Sequence, residues 1–226
     1  LTRQPGDSQF RMARERASAG RKPAMMSLNA AAAEAIMGPA ESMVVQQRYV
    51  TALAYLRLAL RLDPARADAW VMVGDLLNLR GDATAARAAY GQVPKSSGQY
   101  LVAQAKLAWS YQKAGDRTRA VAVARAMIEA DPGGVAGRLT LAEILRDGGA
   151  FEEAATVLTT LLESPDANAE WRVYSLRAEN YRLAGRWTEA EKDLQTALAL
   201  SPGQAEVQTA LVDVALVGVH LLFPQV

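Results

Sequence analysis

Small residues recur along the chain at a nearly constant interval, and this recurrence is the strongest pattern in the sequence. Five alanines are separated by 34, 34, 34 and 36 residues: Ala52, Ala86, Ala120, Ala154 and Ala190. A second column of small residues keeps the same steps: Ala40, Gly74, Ala108, Ala142 and Ala178. A third column of larger side chains does so as well: Met43, Leu77, Tyr111, Leu145 and Tyr181. A fixed period of this length predicts a helical repeat architecture.

Each period contains two stretches in which apolar residues have helical spacing. In the clearest one, a helix from Ala69 to Leu79 is followed by a turn centred on Gly81 and by a helix from Ala83 to Gln92. Glycine is suited to ending the first helix because it accepts a left-handed backbone, and it does so at Gly81, Gly115, Gly149 and Gly185. Prolines follow the second helix of three units: Pro64, Pro132 and Pro202. Neither helix buries its apolar face alone, so we expect the units to stack.

The pattern divides the chain into five units with a segment at either end. The units are predicted at residues 29–66, 67–100, 101–134, 135–170 and 171–204. We interpret residues 1–28 as a basic tail or a degenerate preceding segment, and residues 205–226 as an apolar helix that is an incomplete repeat or a cap. The two extra residues of the last step fall in the polar stretch 164–169, where a loop tolerates insertion.

Two units carry the motif of a known family. The second unit shows it at Trp70, Gly74, Leu77, Ala86 and Tyr90, and the last at Tyr174, Ala178, Tyr181, Gly185, Trp187, Ala190, Ala197 and Pro202. These residues resemble the tetratricopeptide repeat (TPR) family, and in particular its multi-repeat bacterial members. The resemblance implies an all-α fold, a right-handed superhelical solenoid of antiparallel helix pairs. It also implies a periplasmic or envelope-associated location, with the cytoplasm as the alternative; the polar N-terminal sequence shows no signal-peptide core.

Three residues depart from the family pattern. Pro39 stands inside the first helix of the first unit beside Gly38, which predicts a kink or a break because proline lacks the backbone donor. Arg177 occupies a column that is usually apolar. Ala124 replaces the large ring that is usual at its position, so we expect a slimmer core there.

The resemblance implies that the first helices of successive units line a concave groove that binds a peptide or partner protein. Two columns are predicted to face it: Asp75, Trp109, Glu143 and Glu179, and one turn further Asn78, Gln112, Arg146 and Arg182. Glu143 with Arg146 and Glu179 with Arg182 are i,i+3 pairs that either satisfy each other or read a polar peptide. The family's clamp for a terminal carboxylate is disfavoured, because an indole and three carboxylates stand where it uses asparagine.

Trp109 is the most distinctive residue of these columns. Its column is polar in the neighbouring units, so the indole either faces the groove as an interface hot spot or packs over a neighbouring helix. The aromatic residues Trp70, Tyr174 and Trp187 occupy packing columns, and we interpret them as structural.

Composition narrows the function further. With no cysteine and one histidine, His220, the chain cannot build a Cys/His zinc site, and none of the phosphate-loop, dinucleotide, HExxH or GxSxG motifs is present. We therefore predict a non-enzymatic scaffold without cofactor or metal. The alternative is the repeat region of a larger enzyme, or of a secretion or envelope-assembly component.

Charge bears on the partners. The net charge of +1 divides into +4 for residues 1–22 and −3 for the remainder. This argues against nucleic acid as partner. Contact of the basic tail with an anionic membrane or an acidic protein stays a secondary alternative.

The C-terminal segment is the second candidate surface. Residues 205–223 begin as the first helix of a further unit and become apolar almost all round, without a second helix to cover them. We predict an uncapped apolar patch that includes Leu211, Leu216, Leu222 and Phe223. A partner protein, a second copy of the chain, or a continuation of the repeat would cover it.

Overall fold

A computed structural model describes residues 27–164 and 170–222 of the chain. These residues form eleven α-helices and no strand, so the predicted all-α fold is confirmed for them. The helices are α1 (Leu28–Val45), α2 (Tyr49–Leu62), α3 (Ala67–Leu79), α4 (Ala83–Gly91), α5 (Tyr100–Lys113), α6 (Arg117–Ala130), α7 (Ala136–Asp147), α8 (Phe151–Leu162), α9 (Trp171–Leu183), α10 (Trp187–Leu200) and α11 (Ala205–Leu222).

Helices that are consecutive in the chain pack on one another within each of two units. Contacts join α1 to α2, α2 to α3 and α3 to α4 in a first compact unit, Leu1–Leu107. They join α6 to α7 and every following pair up to α10 and α11 in a second unit, Ala108–Val226. We call these unit 1 and unit 2 and describe each by itself.

Each unit has its own core of small and branched apolar side chains. In unit 1 the core joins Ala33 and Met37 of α1 to Leu53 and Leu56 of α2 and to Val73 of α3. In the described part of unit 2, one cluster extends over α5 to α9 and another over α9 to α11. The alanines of the two small-residue columns are fully buried where helices cross, as the period predicted.

Four glycines end first helices, as predicted from the sequence. Gly81, Gly115, Gly149 and Gly185 have φ of 82°, 77°, 78° and 77°. In the first helix pair Gln47 takes this role with φ of 58°, and the sequence contained no glycine to mark it. The backbone bond that closes the turn is the same in each case, for example Asp82 N–H to the Leu77 carbonyl at 2.9 Å.

Gly74 allows the closest side-chain packing in unit 1. A Cβ atom added at Gly74 would lie 2.5 Å from Cδ1 of Tyr90, whose ring is buried against this position from α4. Only a residue without a Cβ leaves room for the ring, since packed interiors have little spare volume. The small-residue column is therefore a steric requirement at this site.

The expected break at Pro39 does not occur, and that alternative is wrong. Helix α1 runs without interruption from Leu28 to Val45. Both Pro39 and Ala35, whose carbonyl loses its helical donor, are exposed. The carbonyl that proline leaves unpaired therefore faces water, and the helix loses one hydrogen bond without burying a polar group.

Arg177 is accommodated in its apolar column by an ion pair with the buried Asp193. Its guanidinium donates two hydrogen bonds of 2.7 Å to the Asp193 carboxylate and one of 3.0 Å to Thr159 Oγ1. The rings of Tyr174 and Tyr181 lie 5.8 and 5.7 Å from the guanidinium carbon. Hydrogen bonding to Asp193 raises the pKa of Arg177 above its ordinary value. Through these hydrogen bonds, the Arg177 guanidinium on α9 connects α8 to α10.

Ala124 lies fully buried in the core of unit 2. One turn further along α6, the backbone of α7 comes very close: a Cβ added at Gly137 would be 2.9 Å from the backbone nitrogen of Ile128. Small residues on both helices thus replace a large side chain by closer helix approach, in agreement with the slimmer core predicted there.

Candidate protein-binding surfaces

The first helices carry the polar columns predicted to bind a partner. Asp75 and Asn78 lie on α3 in unit 1, whereas the other six residues lie in unit 2, on α5, α7 and α9. We call the latter set the first-helix surface of unit 2: Trp109, Gln112, Glu143, Arg146, Glu179 and Arg182.

Asp75 is committed to contacts inside unit 1. Its Oδ1 accepts a hydrogen bond of 2.8 Å from the Tyr90 hydroxyl and another of 2.7 Å from Lys106 Nζ. Burial, and next the bond to Asp75, raise the pKa of Tyr90 above its ordinary value. Asn78, one turn further, is exposed. The carboxylate of Asp75 therefore helps to hold the Tyr90 ring in place.

Gln112 connects two first helices in unit 2. Its Nε2 donates a hydrogen bond of 2.7 Å to Asp147 Oδ2 at the end of α7. The Oε1 of the same amide is buried and accepts no hydrogen bond from the described residues. An amide with one used and one unused group favours a further donor at this place.

The two i,i+3 pairs behave differently. Arg182 binds Glu179 in bidentate fashion, with hydrogen bonds of 2.8 and 2.7 Å. Within residues 27–164 and 170–222, by contrast, neither the Glu143 nor the Arg146 side chain has a hydrogen bond or an ion pair. Both side chains are half-buried. The predicted self-pairing thus holds on α9, and α7 keeps a free carboxylate and a free guanidinium.

Trp109 packs on the core, and its role as an interface hot spot stays a prediction. The indole packs against the core cluster of unit 2, together with Tyr111 and Leu139. It is nevertheless only partly buried, so part of the ring remains on the surface. Trp70, Tyr174 and Trp187 likewise pack against the cores, as interpreted from their columns.

Sequence reasoning missed two acidic members of this surface. The sequence analysis did not single out Asp147. Its contact with α5 is the hydrogen bond from the Gln112 side chain. Asp213 of α11 follows Glu179 by 34 residues and so continues the same column. Its charge contributes to the raised pKa of Arg182, after the larger effect of hydrogen bonding to Glu179. The repeat period could have predicted that Asp213 belongs to this column, whereas the role of Asp147 could be recognised only in the structure.

The C-terminal helix α11 leaves an apolar face open. Val207 and Val214 are buried against the core of unit 2, and Leu211 packs at its edge. Val212 and Leu216 are 57% and 58% exposed. The predicted patch is therefore present at Leu216 and extends to Val212, whereas Leu211 belongs to the core edge. The side chain of Leu222 and the whole of Phe223 lie outside the described residues.

The described residues were also compared with the requirements of a metal site and of a membrane span, and they meet neither. Across the described ranges, no group of three or more His, Asp or Glu side chains is placed to hold a metal ion. In the same ranges no helix has the length and apolarity needed to cross a membrane. Helix pairs of one period, with polar columns on their first helices, define a helical-repeat protein.

Comparison with known families agrees with this class. Three profiles described as tetratricopeptide repeat match residues 40–99, 111–179 and 171–204, which together are more than half of the chain. The chain belongs to the tetratricopeptide repeat family. No curated protein sequence matches it significantly.

Solved structures of TPR proteins share the fold. A thermophilic TPR protein of Thermus thermophilus is 18% identical, with a TM-score of 0.54 over 81% of this chain and 99% of that chain. YrrB, described as a TPR protein with an unusual peptide-binding site, is 16% identical, with a TM-score of 0.55 over 77% and 89%. MamA of Desulfovibrio magneticus RS-1, from residue 41 to its end, is 15% identical, with a TM-score of 0.59 over 80% and 99%. At these identities the likeness concerns the fold.

Proposed function

We propose that this protein is a non-enzymatic scaffold that binds a peptide segment of a partner on the first-helix surface of unit 2. The observation that carries the proposal is the pair Glu143 and Arg146, half-buried and without partners in the described chain. Unpaired charged groups in a partly desolvated position gain more from a ligand than fully solvated ones do. A peptide backbone supplies both the donor and the acceptor that such a pair lacks.

Neighbouring groups extend this site. The exposed part of Trp109 offers an apolar contact, and Gln112 lies beside it, bound through its Nε2 to Asp147. Truncating a tryptophan in such a setting typically weakens binding by about 2 kcal/mol or more. The site thus joins one aromatic contact to several polar ones, which is the usual composition of a peptide site.

Charge indicates which peptides the site favours. The surface and its continuation on α11 hold two basic groups, Arg146 and Arg182, against four acidic ones: Glu143, Asp147, Glu179 and Asp213. Like charges across an interface are unfavourable. We therefore infer a peptide with lysine or arginine side chains and without a free carboxylate at the contact. Its compartment, periplasmic or envelope-associated or else cytoplasmic, stays a prediction from the resemblance.

A peptide array tests the proposal. Peptides with graded charge are screened, and the best binder is titrated by fluorescence anisotropy against Glu143→Gln, Arg146→Ala and Trp109→Ala. We expect each variant to weaken binding about tenfold or more, equivalent to about 1.4 kcal/mol. The control Arg125→Ala removes an exposed arginine of α6, on a second helix, and should leave the affinity unchanged. Equal binding by all four variants would place the site elsewhere.

A further inference from the structure

Unit 1 has an apolar groove on the side that carries its second helices. The groove has a volume of about 820 Å³. Its floor is formed by α3, and its walls by α2 and α4. The side chains most relevant here are Leu58 on α2, Trp70 on the floor and Ala88 on α4. Leu58 is 48% exposed. The size is within the range of ligand sites in proteins.

The sequence of α4 explains why the groove is open. Five of its nine residues are alanine. Because these side chains are short, the backbone of another helix can approach α4 closely. The floor is rigid because the Trp70 indole donates a hydrogen bond of 2.8 Å to the Pro64 carbonyl. A preformed apolar groove between two helices favours a third helix as its occupant.

Two arginines make one wall of the groove positively charged. Arg57 and Arg61 are one turn apart on the α2 wall, both are exposed, and in the described parts of the chain neither has an ion pair or hydrogen bond. Among the described residues that line the groove, they are the only charged ones. The complementary occupant is an apolar helix with carboxylates along one flank.

Helix α11 of this same chain has that pattern. At 100° per residue, Val212 and Leu216 lie on the face opposite to the buried Val207 and Val214. Glu206 and Asp213 are both exposed and lie side by side along one flank of the apolar stripe. The stripe stays uncovered within the described chain, since α11 packs mainly on α10, through its opposite face.

We propose that α11 of one copy of the chain docks into the groove of unit 1 of a second copy. The apolar stripe fills the groove, and the acidic flank faces Arg57 and Arg61. Because the two surfaces differ, the contact is head-to-tail and leaves a groove free at one end and a helix free at the other. A single helix in a groove buries a small area, so we expect weak association that grows with concentration.

Complementary blocking variants test the head-to-tail contact. Arg57→Glu with Arg61→Glu blocks the groove, and Val212→Glu with Leu216→Glu blocks the helix. Light scattering over a dilution series should show wild-type masses that rise beyond a dimer, and the mass of one chain for each blocked variant. An equimolar mixture of the two blocked variants retains one intact groove and one intact helix, so it should give a dimer. Circular dichroism and thermal unfolding verify that each variant is folded.

Several outcomes would overturn the proposal. A wild-type chain that stays monomeric at every concentration has no such contact. A mixture that stays monomeric excludes pairing of these two surfaces. Loss of association in the helix variant alone indicates that α11 packs on another α11 instead. Arg125→Glu, on α6 outside both surfaces, is the control and should associate like the wild type.

Cross-linking provides an independent readout, because the chain contains no cysteine. A chain with Ala88→Cys is mixed with a chain with Val212→Cys under mild oxidation. The disulfide between the two should form much faster than that between Val212→Cys and Ala122→Cys, an exposed position on α6. Equal rates for both mixtures would contradict the docking.

Discussion

Replacing Gly74 by alanine tests whether the small-residue column is a steric requirement. The added Cβ would lie 2.5 Å from Cδ1 of Tyr90, well inside van der Waals contact. Helix propensity by itself favours alanine over glycine by about 1 kcal/mol. Overpacking a well-filled core costs about 1–3 kcal/mol. Displacing the Tyr90 ring also weakens its 2.8 Å hydrogen bond to Asp75, and a hydrogen bond to a charged group contributes about 1.5–3 kcal/mol.

These contributions predict that Gly74→Ala lowers the free energy of unfolding by about 1–3 kcal/mol. The measurement is urea unfolding followed by circular dichroism, with midpoints compared because repeat proteins do not always unfold in one step. Gly91→Ala is a matched control, since Gly91 is the last residue of α4 and no atom of a neighbouring helix lies within 4 Å of an added Cβ. It should gain up to about 1 kcal/mol from helix propensity alone.

A coupling measurement makes the test sharper. In a Tyr90→Leu background the ring is absent, so Gly74→Ala should cost much less than in the wild type. If Gly74→Ala is as stable as the wild type, or if its cost is the same with and without the ring, the steric argument is refuted.

Three other predictions concern stability. Asp193→Ala should destabilise the protein by about 1.5–3 kcal/mol, because the partly buried Arg177 guanidinium loses its carboxylate partner. The double variant Arg177→Leu with Asp193→Leu should cost clearly less, and equal unfolding midpoints for the two proteins would contradict this. Gly149→Ala should cost about 1–2 kcal/mol in urea unfolding because of its left-handed backbone, and a neutral result would show that the turn relaxes. The fold raises the pKa of Tyr90. The protonated Tyr90 hydroxyl therefore stabilises the fold fully below about pH 10, and this stabilisation decreases as the pH rises further. The free energy of unfolding of Tyr90→Phe should decrease less steeply over this pH range, and identical pH profiles for the two proteins would rule out the linkage.

Local backbone geometry was largely predictable from the sequence. The turns at Gly81 and Gly149 and the N-caps of the following helices involve residues that are near neighbours in the chain. Asp82 Oδ1, for example, accepts the Ala85 backbone N–H at 3.0 Å. Gln47 marks the limit of this reasoning, because it adopts the same left-handed conformation without a glycine. The geometry of the turn, imposed by the packing of α1 on α2, prevails there over residue preference.

The candidate site was predictable only in part. The period placed Glu143, Arg146, Glu179 and Arg182 on the same face of successive first helices. It did not show which of them form pairs. Arg182 reaches Glu179, whereas Arg146 and Glu143 have the same spacing and do not pair. The side-chain rotamers decide which residues pair, and a periodic pattern in the sequence does not specify rotamers.

The sequence by itself determined that this protein consists of repeated helix pairs. The interval between small residues and the glycines that end first helices require no knowledge of distant contacts. Only the tertiary structure decided which polar groups are free to bind. Asp75 is engaged by Lys106, 31 residues further along the chain, and the open face of α11 follows from the absence of a covering helix in the described chain. Such contacts join residues that are distant in the sequence, and their distance in space depends on how the helices pack. All side chains of the core together set these packing distances.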